Sequence, residues 1–272
     1  MADIAGQFFI LNGQEYPVAE FKRFMHLPEK NPSIYEVIRI EESIPLFIDD
    51  YLDRLEHSFS VSGKSFFMNR QEIPAVVRRL IGLNGHQSGP VKMIFGTGNF
   101  NFFLLYLMKP HLPRPEEYIT GVKTILLYAM RHHPNAKIWN SALRTESVAA
   151  MEASGAYEAI LVDDRHHITE ASRSNVFFVK DDYLVTSPSE AVLPGITRKK
   201  VLDICRLKGI RVKMEQVNVD HLEQYDACFL TGTARKIVPV RWIDSISFSV
   251  VHPLMQSISH GYEKLVNEYL KP

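Results

Sequence analysis

Three short segments carry side chains that could act on one reactive ligand. Lys137 lies in Ala136-Lys137-Ile138-Trp139, an apolar setting that disfavours the ammonium by desolvation. The neutral amine so favoured can condense with an aldehyde. Glu170 closes the apolar run AILVDDRHHIT, which reads as one strand, and supplies a carboxylate. Leu193-Pro194-Gly195-Ile196-Thr197 leads into RKKVLDICRLKG, which reads as a loop entering a helix that stops at Gly209. Gly195 lets the backbone approach a ligand closely, and Thr197 adds a hydroxyl. The free amides and positive dipole end of a first helical turn favour an anion such as phosphate.

Taken singly, each of these residues has an ordinary reading. Lys137 reads as a snorkelling surface lysine, Glu170 as a surface acid, and Gly-Ile-Thr as a glycine turn with Thr197 as N-cap. Arg54 reads as an arginine on an exposed helix face, and Thr231 and Thr233 as satisfying their own turn. His132-His133 and His166-His167 read as loop residues, and no metal site is expected.

Stepping along the chain gives the elements that must position these groups. Asn12-Gly13 between apolar strand formers signals a hairpin. IYEVIRI (34–40) and PLFI (45–48) read as strands. Asp49 or Asp50 is placed to cap a helix over YLDRLEHSFSVSG, with Leu52, Leu55 and Phe59 on one face and Arg54 off it. A second helix starts near Ile73, and VKMIF and FFLLYLM pair as strands. KPHLPRPEEY (109–118), with three prolines and no periodicity, marks a connector. The expected division is a smaller mixed domain over 1–113 and a larger one over 119–272. In the latter, VKTILLYAM reads as a strand and SALRTESVAAMEAS as a helix stopped by Gly155. SNVFFV and YLVTS form a hairpin, IRVKMEQV is a strand, and DACFLTGTARKIVPVRWI is strand, glycine turn and strand. An amphipathic helix ends the chain.

Composition narrows the function classes. Hydrophobic residues make up 46% of the 272, so a substantial core is possible. Lys+Arg and Asp+Glu are equal at 31 each, which argues against a nucleic-acid footprint or a basic membrane-binding face. The two cysteines, Cys205 and Cys228, sit among apolar residues and read as buried thiols. The N-terminal stretch is too soon interrupted for a signal peptide. No run approaches the ~20 apolar residues of a membrane span. The expectation is a cytoplasmic protein.

The segments YEVIRI…DRL, HPNAKIWN, GAYEAILVDD, ITEASRSNVFFV, LPGITRKKV and FLTGTARKIVPV follow one another from Tyr35 to Val240. In this the chain resembles the class IV pyridoxal-phosphate aminotransferases, which include branched-chain and D-amino acid aminotransferases and aminodeoxychorismate lyase. The run from Glu170 to Arg198 is the most specific part. The resemblance implies an α/β fold of two domains, the larger with a barrel-like sheet, with the cofactor between them, and a homodimer. It implies that Lys137 bonds pyridoxal 5'-phosphate and shuttles the substrate proton, while Glu170 keeps the pyridine nitrogen protonated. Arg54, Ile196, Thr197 and Thr233 would bind phosphate, with Gly195 at the close approach. Leu193 would pack on the ring, Asn175 would orient the Glu170 loop, and Tyr35 would line the substrate pocket. An anion site, an amine and a carboxylate are what this cofactor needs at its three polar edges.

The departures from the family pattern fall in the substrate half. Lys30-Asn-Pro-Ser-Ile replaces a Gly-Asp-Gly-type turn, and Tyr51 stands where histidine is frequent. After VKMIF, Phe95-Gly-Thr-Gly-Asn-Phe-Asn lacks the arginine with which many members hold the substrate carboxylate. Arg235-Lys236 replaces small and acidic residues. The Thr233 and Ala234 amides could form a small anion nest instead, with Arg235 or Lys236 adding charge or facing solvent. The expected reaction moves an amino group between an amino acid, branched-chain-like as a first choice, and a 2-oxo acid. The alternatives are a lyase releasing p-aminobenzoate and pyruvate, a D-amino acid aminotransferase, and a cofactor-binding protein without turnover.

Overall fold

The computed structural model describes residues 4–131 and 133–271. The chain divides into two compact units. One is Met1–His111 with Ala136–Trp139 and Val266–Pro272; the other is Leu112–Asn135 with Asn140–Leu265.

The first unit is built on an antiparallel sheet of β1 (Ile4–Leu11), β2 (Gln14–Pro17), β3 (Ser33–Glu41), β4 (Ile44–Pro45), β5 (Gly89–Thr97) and β6 (Asn101–Met108), ordered β2-β1-β6-β5-β3-β4. The short α1 (Leu27–Lys30) precedes β3. Two longer helices, α2 (Ile48–Val61) and α3 (Ile73–Asn84), lie between β4 and β5. Asn12 and Gly13 turn β1 into β2 with φ of 50° and 81°, the pair of positive values that a tight hairpin requires. Alternation along β3 sends Ile34, Glu36 and Ile38 to a fully buried face, while Tyr35 joins Phe9, Phe21, Ile94, Leu104 and Tyr106 on the other.

One expectation fails here. Of residues 45–48 only Pro45 lies in a strand, the end of β4, because Phe47 adopts the left-handed region (φ 52°) and the chain enters α2 at Ile48. Neither Asp49 nor Asp50 caps that helix; both lie in its first turn, where a carboxylate complements the dipole. Packing explains the bend. The Phe47 ring is buried against Tyr269, centroids 4.7 Å apart, and a strand would carry it away.

The second unit holds a mixed sheet of β7 (Val122–Tyr128), β8 (Glu158–Val162), β9 (His167–Ala171), β10 (Asn175–Lys180), β11 (Tyr183–Thr186), β12 (Val212–Met214), β13 (Val217–Asn218), β14 (Ala227–Gly232), β15 (Lys236–Ile243) and β16 (Ile246–Ser247). The order is β12-β11-β10-β14-β15-β7-β8-β9-β13, with β16 on β15. The helices are α4 (Glu117–Thr120), α5 (Ser141–Ser154), α6 (Ile196–Lys208) and α7 (Pro253–Tyr269), the last crossing the division between the units. α5 is the crossover that parallel β7 and β8 require. Among the described residues, no helix is long and apolar enough to cross a membrane.

Two expected strands are each broken in two. AILVDDRHHIT folds back on itself as antiparallel β8 and β9. The Asp163 carboxylate accepts from the amides of Arg165 and His167, and His166 takes φ 63°. IRVKMEQV likewise splits into β12 and β13, which sit at opposite ends of the sheet. Cys205 and Cys228 are both fully buried free thiols, and burial pushes the Cys205 thiol up to about 11.

Candidate active site

In the first unit, Lys137 is fixed by its main chain. Residues 136–139 run beside the start of β3: Tyr35 N donates to the Lys137 carbonyl (3.0 Å), Trp139 N donates to Ser33 O (2.8 Å), and Ile34 bridges Ile138. The Lys137 amide donates to Ser58 Oγ (3.1 Å), and that hydroxyl donates to the Arg54 carbonyl (2.8 Å). One serine of α2 thus ties the lysine segment to the arginine turn. The half-buried Lys137 amine stands 4.8 Å from the centre of the Tyr35 ring.

Arg54 is not on an exposed face. It is buried at 6% exposure, with Nε and Nη2 on the two oxygens of fully buried Glu36 at 2.8 and 2.6 Å. Burial alone would lower its pKa; Glu36 outweighs that and raises it. Breaking such a pair from one side strands the other charge, at about 3–5 kcal/mol. Arg54→Ala is therefore expected to lower unfolding stability by that order, measured by urea titration of the cofactor-free protein. A loss under about 1 kcal/mol would mean that Glu36 finds another partner.

Lys92 was not singled out in the sequence. It is only 3% exposed on β5, with its amine 4.1 Å from the Trp139 ring centre and 4.8 Å from that of Tyr35. The detectable signal was a cation inside the apolar run of VKMIF, since a buried lysine needs a compensating environment.

The second unit gathers Glu170, Leu193, Gly195, Ile196 and Thr197. Glu170, 3% exposed near the end of β9, accepts from Arg131 Nε (2.7 Å) and from the Leu193 amide (3.2 Å). Arg131 is a further residue missed in the sequence, where nothing marks it beyond its place after β7. Asn175 Nδ2 donates to the Leu193 carbonyl (2.9 Å). Gly195 is required there, because a Cβ would stand 2.0 Å from Asn175 Oδ1. Thr197 does not cap α6. Gly195 is the N-cap, without a side-chain cap bond, and Ile196 and Thr197 form the buried first turn. Beside Asn175 in the ladder, Thr231 Oγ1 is buried with no hydrogen-bond partner among the described residues.

Thr233 and Ala234 lie half-buried in the turn between β14 and β15. Arg235 neither reaches outward nor faces solvent: it is 6% exposed and paired with fully buried Glu158. Lys236 follows with φ 62° and is partly exposed. Of the paired histidines, His132 lies outside the described residues; His166 lies in the β8–β9 turn and His167 opens β9.

The profile of the Amino-transferase class IV family matches residues 33–243. Similar curated proteins include the D-alanine aminotransferase of Bacillus licheniformis, 28% identical over 248 residues that cover 86% of this chain and 87% of that one. A probable branched-chain-amino-acid aminotransferase of Rickettsia bellii is 26% identical, covering 94% and 95%. Among solved structures, the branched-chain amino acid aminotransferase of Escherichia coli superposes with a TM-score of 0.85 at 22% identity, over 96% of this chain and 95% of that one.

Proposed function

Because the chain belongs to the class IV aminotransferase family, we propose that it holds pyridoxal 5'-phosphate at Lys137 and moves an amino group between an amino acid and a 2-oxo acid. When bound, this cofactor supplies an electron sink that stabilises charge on the substrate carbon. The second unit's donor set suits it. Glu170 offers a buried carboxylate with lone pairs beyond the two bonds it accepts, fit to hold a protonated ring nitrogen. The α6 amides at Ile196 and Thr197 suit a phosphate. The buried Thr231 hydroxyl, beside Asn175 in the ladder, lacks a partner among the described residues.

The chain's own residues then have distinct tasks. Lys137 would shuttle the proton between the substrate carbon and the cofactor. Tyr35 lines the path beside it, and Leu193 packs on the ring. Arg54, held by Glu36, and Thr233 add phosphate contacts. The substrate carboxylate is taken by the Thr233 and Ala234 amides, since Arg235 is committed to Glu158; within the first unit, the Lys92 ammonium beside Tyr35 and Trp139 offers charge to the substrate. The likeness to branched-chain aminotransferases and the aromatic lining of Tyr35 and Trp139 support an apolar, branched-chain-like donor. The family resemblance supports a homodimer, and the two buried free thiols support a cytoplasmic setting.

The observation that carries this reading is the matched stretch 33–243, which includes both Lys137 and Glu170. It is tested by mixing cofactor-loaded protein separately with L-leucine, L-glutamate, D-alanine and aminodeoxychorismate, following conversion of the cofactor to its amine form by absorbance. L-leucine and L-glutamate are expected to convert it rapidly. Conversion by D-alanine alone would move the protein to the D-specific branch. Pyruvate with p-aminobenzoate from the last mixture, and silence elsewhere, would make it a lyase. Lys92→Met is expected to raise KM for L-leucine about tenfold with kcat nearly kept, the signature of lost uniform binding. An unchanged KM would remove Lys92 from the substrate site.

A further inference from the structure

We propose that Glu158 and Arg235 form a buried clamp that positions the Thr233–Ala234 turn and the loop following Glu170, making both of them positioning residues for anion binding. This rests on the reading that the turn binds the cofactor phosphate and the substrate carboxylate.

The contacts converge on one carboxylate. Glu158 opens β8 and is fully buried. Its Oε1 accepts from the Arg173 amide (2.6 Å), and its Oε2 accepts from Ser174 Oγ (3.0 Å) and is paired with Arg235 Nη1. Arg235 Nη1 also donates to Ser174 Oγ (3.2 Å), which closes a triangle of charge, hydroxyl and charge. The Arg235 carbonyl accepts from the Tyr118 hydroxyl (3.1 Å), so both main chain and side chain of this residue are held. Its guanidinium lies 5.3 Å from the Tyr157 ring centre. Gly232 keeps the passage open: a Cβ there would come within 3.2 Å of both Arg235 Cγ and Ser174 Oγ.

The clamp therefore joins two segments that the strand ladder alone does not fix. Arg173 and Ser174 lie between β9, which carries Glu170, and β10. Arg235 lies directly after Thr233 and Ala234. An arginine in a hairpin turn ordinarily faces water; here burial would disfavour its charge and Glu158 restores it. A buried ion pair gives little net stability over an apolar pair of similar volume. What it does provide is a single geometry, because several directional bonds must be met together. The turn amides are then aimed in one direction.

The test compares three proteins by affinity for pyridoxal phosphate and for phosphate-free pyridoxal, by KM and kcat for L-leucine, and by thermal unfolding without cofactor. Glu158→Gln combined with Arg235→Met removes both charges, so that neither is stranded and folding is kept. Thr233→Ala removes a contact of the turn itself. Arg235→Lys keeps charge but not the planar donor geometry. In the double variant, pyridoxal phosphate affinity is expected to fall about tenfold, with pyridoxal affinity unchanged and KM raised more than kcat falls. Arg235→Lys should fall between it and the wild type. If Thr233→Ala loses phosphate discrimination and the double variant does not, the clamp is structural only and the proposal fails. If Thr233→Ala, which removes the hydroxyl and keeps the amides, leaves phosphate discrimination unchanged, the phosphate-binding reading of the turn falls, and the clamp's role in it falls with it.

Discussion

Lys137→Ala is expected to yield a folded protein that no longer holds its cofactor covalently and whose turnover falls by about four powers of ten, or ~5 kcal/mol of barrier. Folding should survive because the anchors of this residue are main-chain ones: its amide on Ser58 Oγ and its carbonyl under the Tyr35 amide. Truncating the side chain leaves both in place and removes the amine. In the wild type, borohydride reduction followed by peptide mapping should tag Lys137. The informative competitor is Lys92, whose amine stands at the same 4.8 Å from the Tyr35 ring centre. A tag on Lys92, or near-normal turnover in Lys137→Ala, would overturn the assignment.

Glu170→Gln is expected to retain cofactor and lose about three powers of ten in rate, ~4 kcal/mol of barrier. The amide cannot hold a protonated ring nitrogen as a carboxylate does, and its NH2 would face Arg131 Nε or the Leu193 amide, both donors. That conflict should also lower the stability of the cofactor-free protein by about 1–3 kcal/mol. The two readouts separate the roles. A rate near wild type with only the stability loss would leave Glu170 as a structural partner of Arg131.

Much of this was legible in local sequence. The two hairpins read correctly because residues tolerant of positive φ stand at the turns, Asn12-Gly13 and Asp181. Helix α6 read correctly because its apolar period begins after Gly195 and ends at Gly209, left-handed at φ 67°. Long-range pairing was not legible. Arg54 looks solvent-facing on a helical wheel, and only the placement of Glu36 on the inner face of β3 brings a charge to meet it. Arg235 reads as a turn residue until β8 brings Glu158 beneath it, 77 positions away. The strand over residues 159–169 misread for a local reason: Asp163 folds its side chain back onto two amides, and alternation alone does not reveal that.

The placement of residues 136–139 has a consequence for the order in which the chain can fold. They belong to the first unit, yet in the sequence they come well after β6, the last strand of its sheet, and are flanked on both sides by residues of the other unit. A nascent chain that has emerged only as far as His111 has all six strands of the first sheet but leaves the start of β3 as a bare edge, unpaired N–H and C=O groups that invite association with another chain. The edge is covered only when Lys137 itself arrives. The segment that carries the amine thus also pairs with the start of β3, and until it is synthesised that stretch of edge lacks this partner.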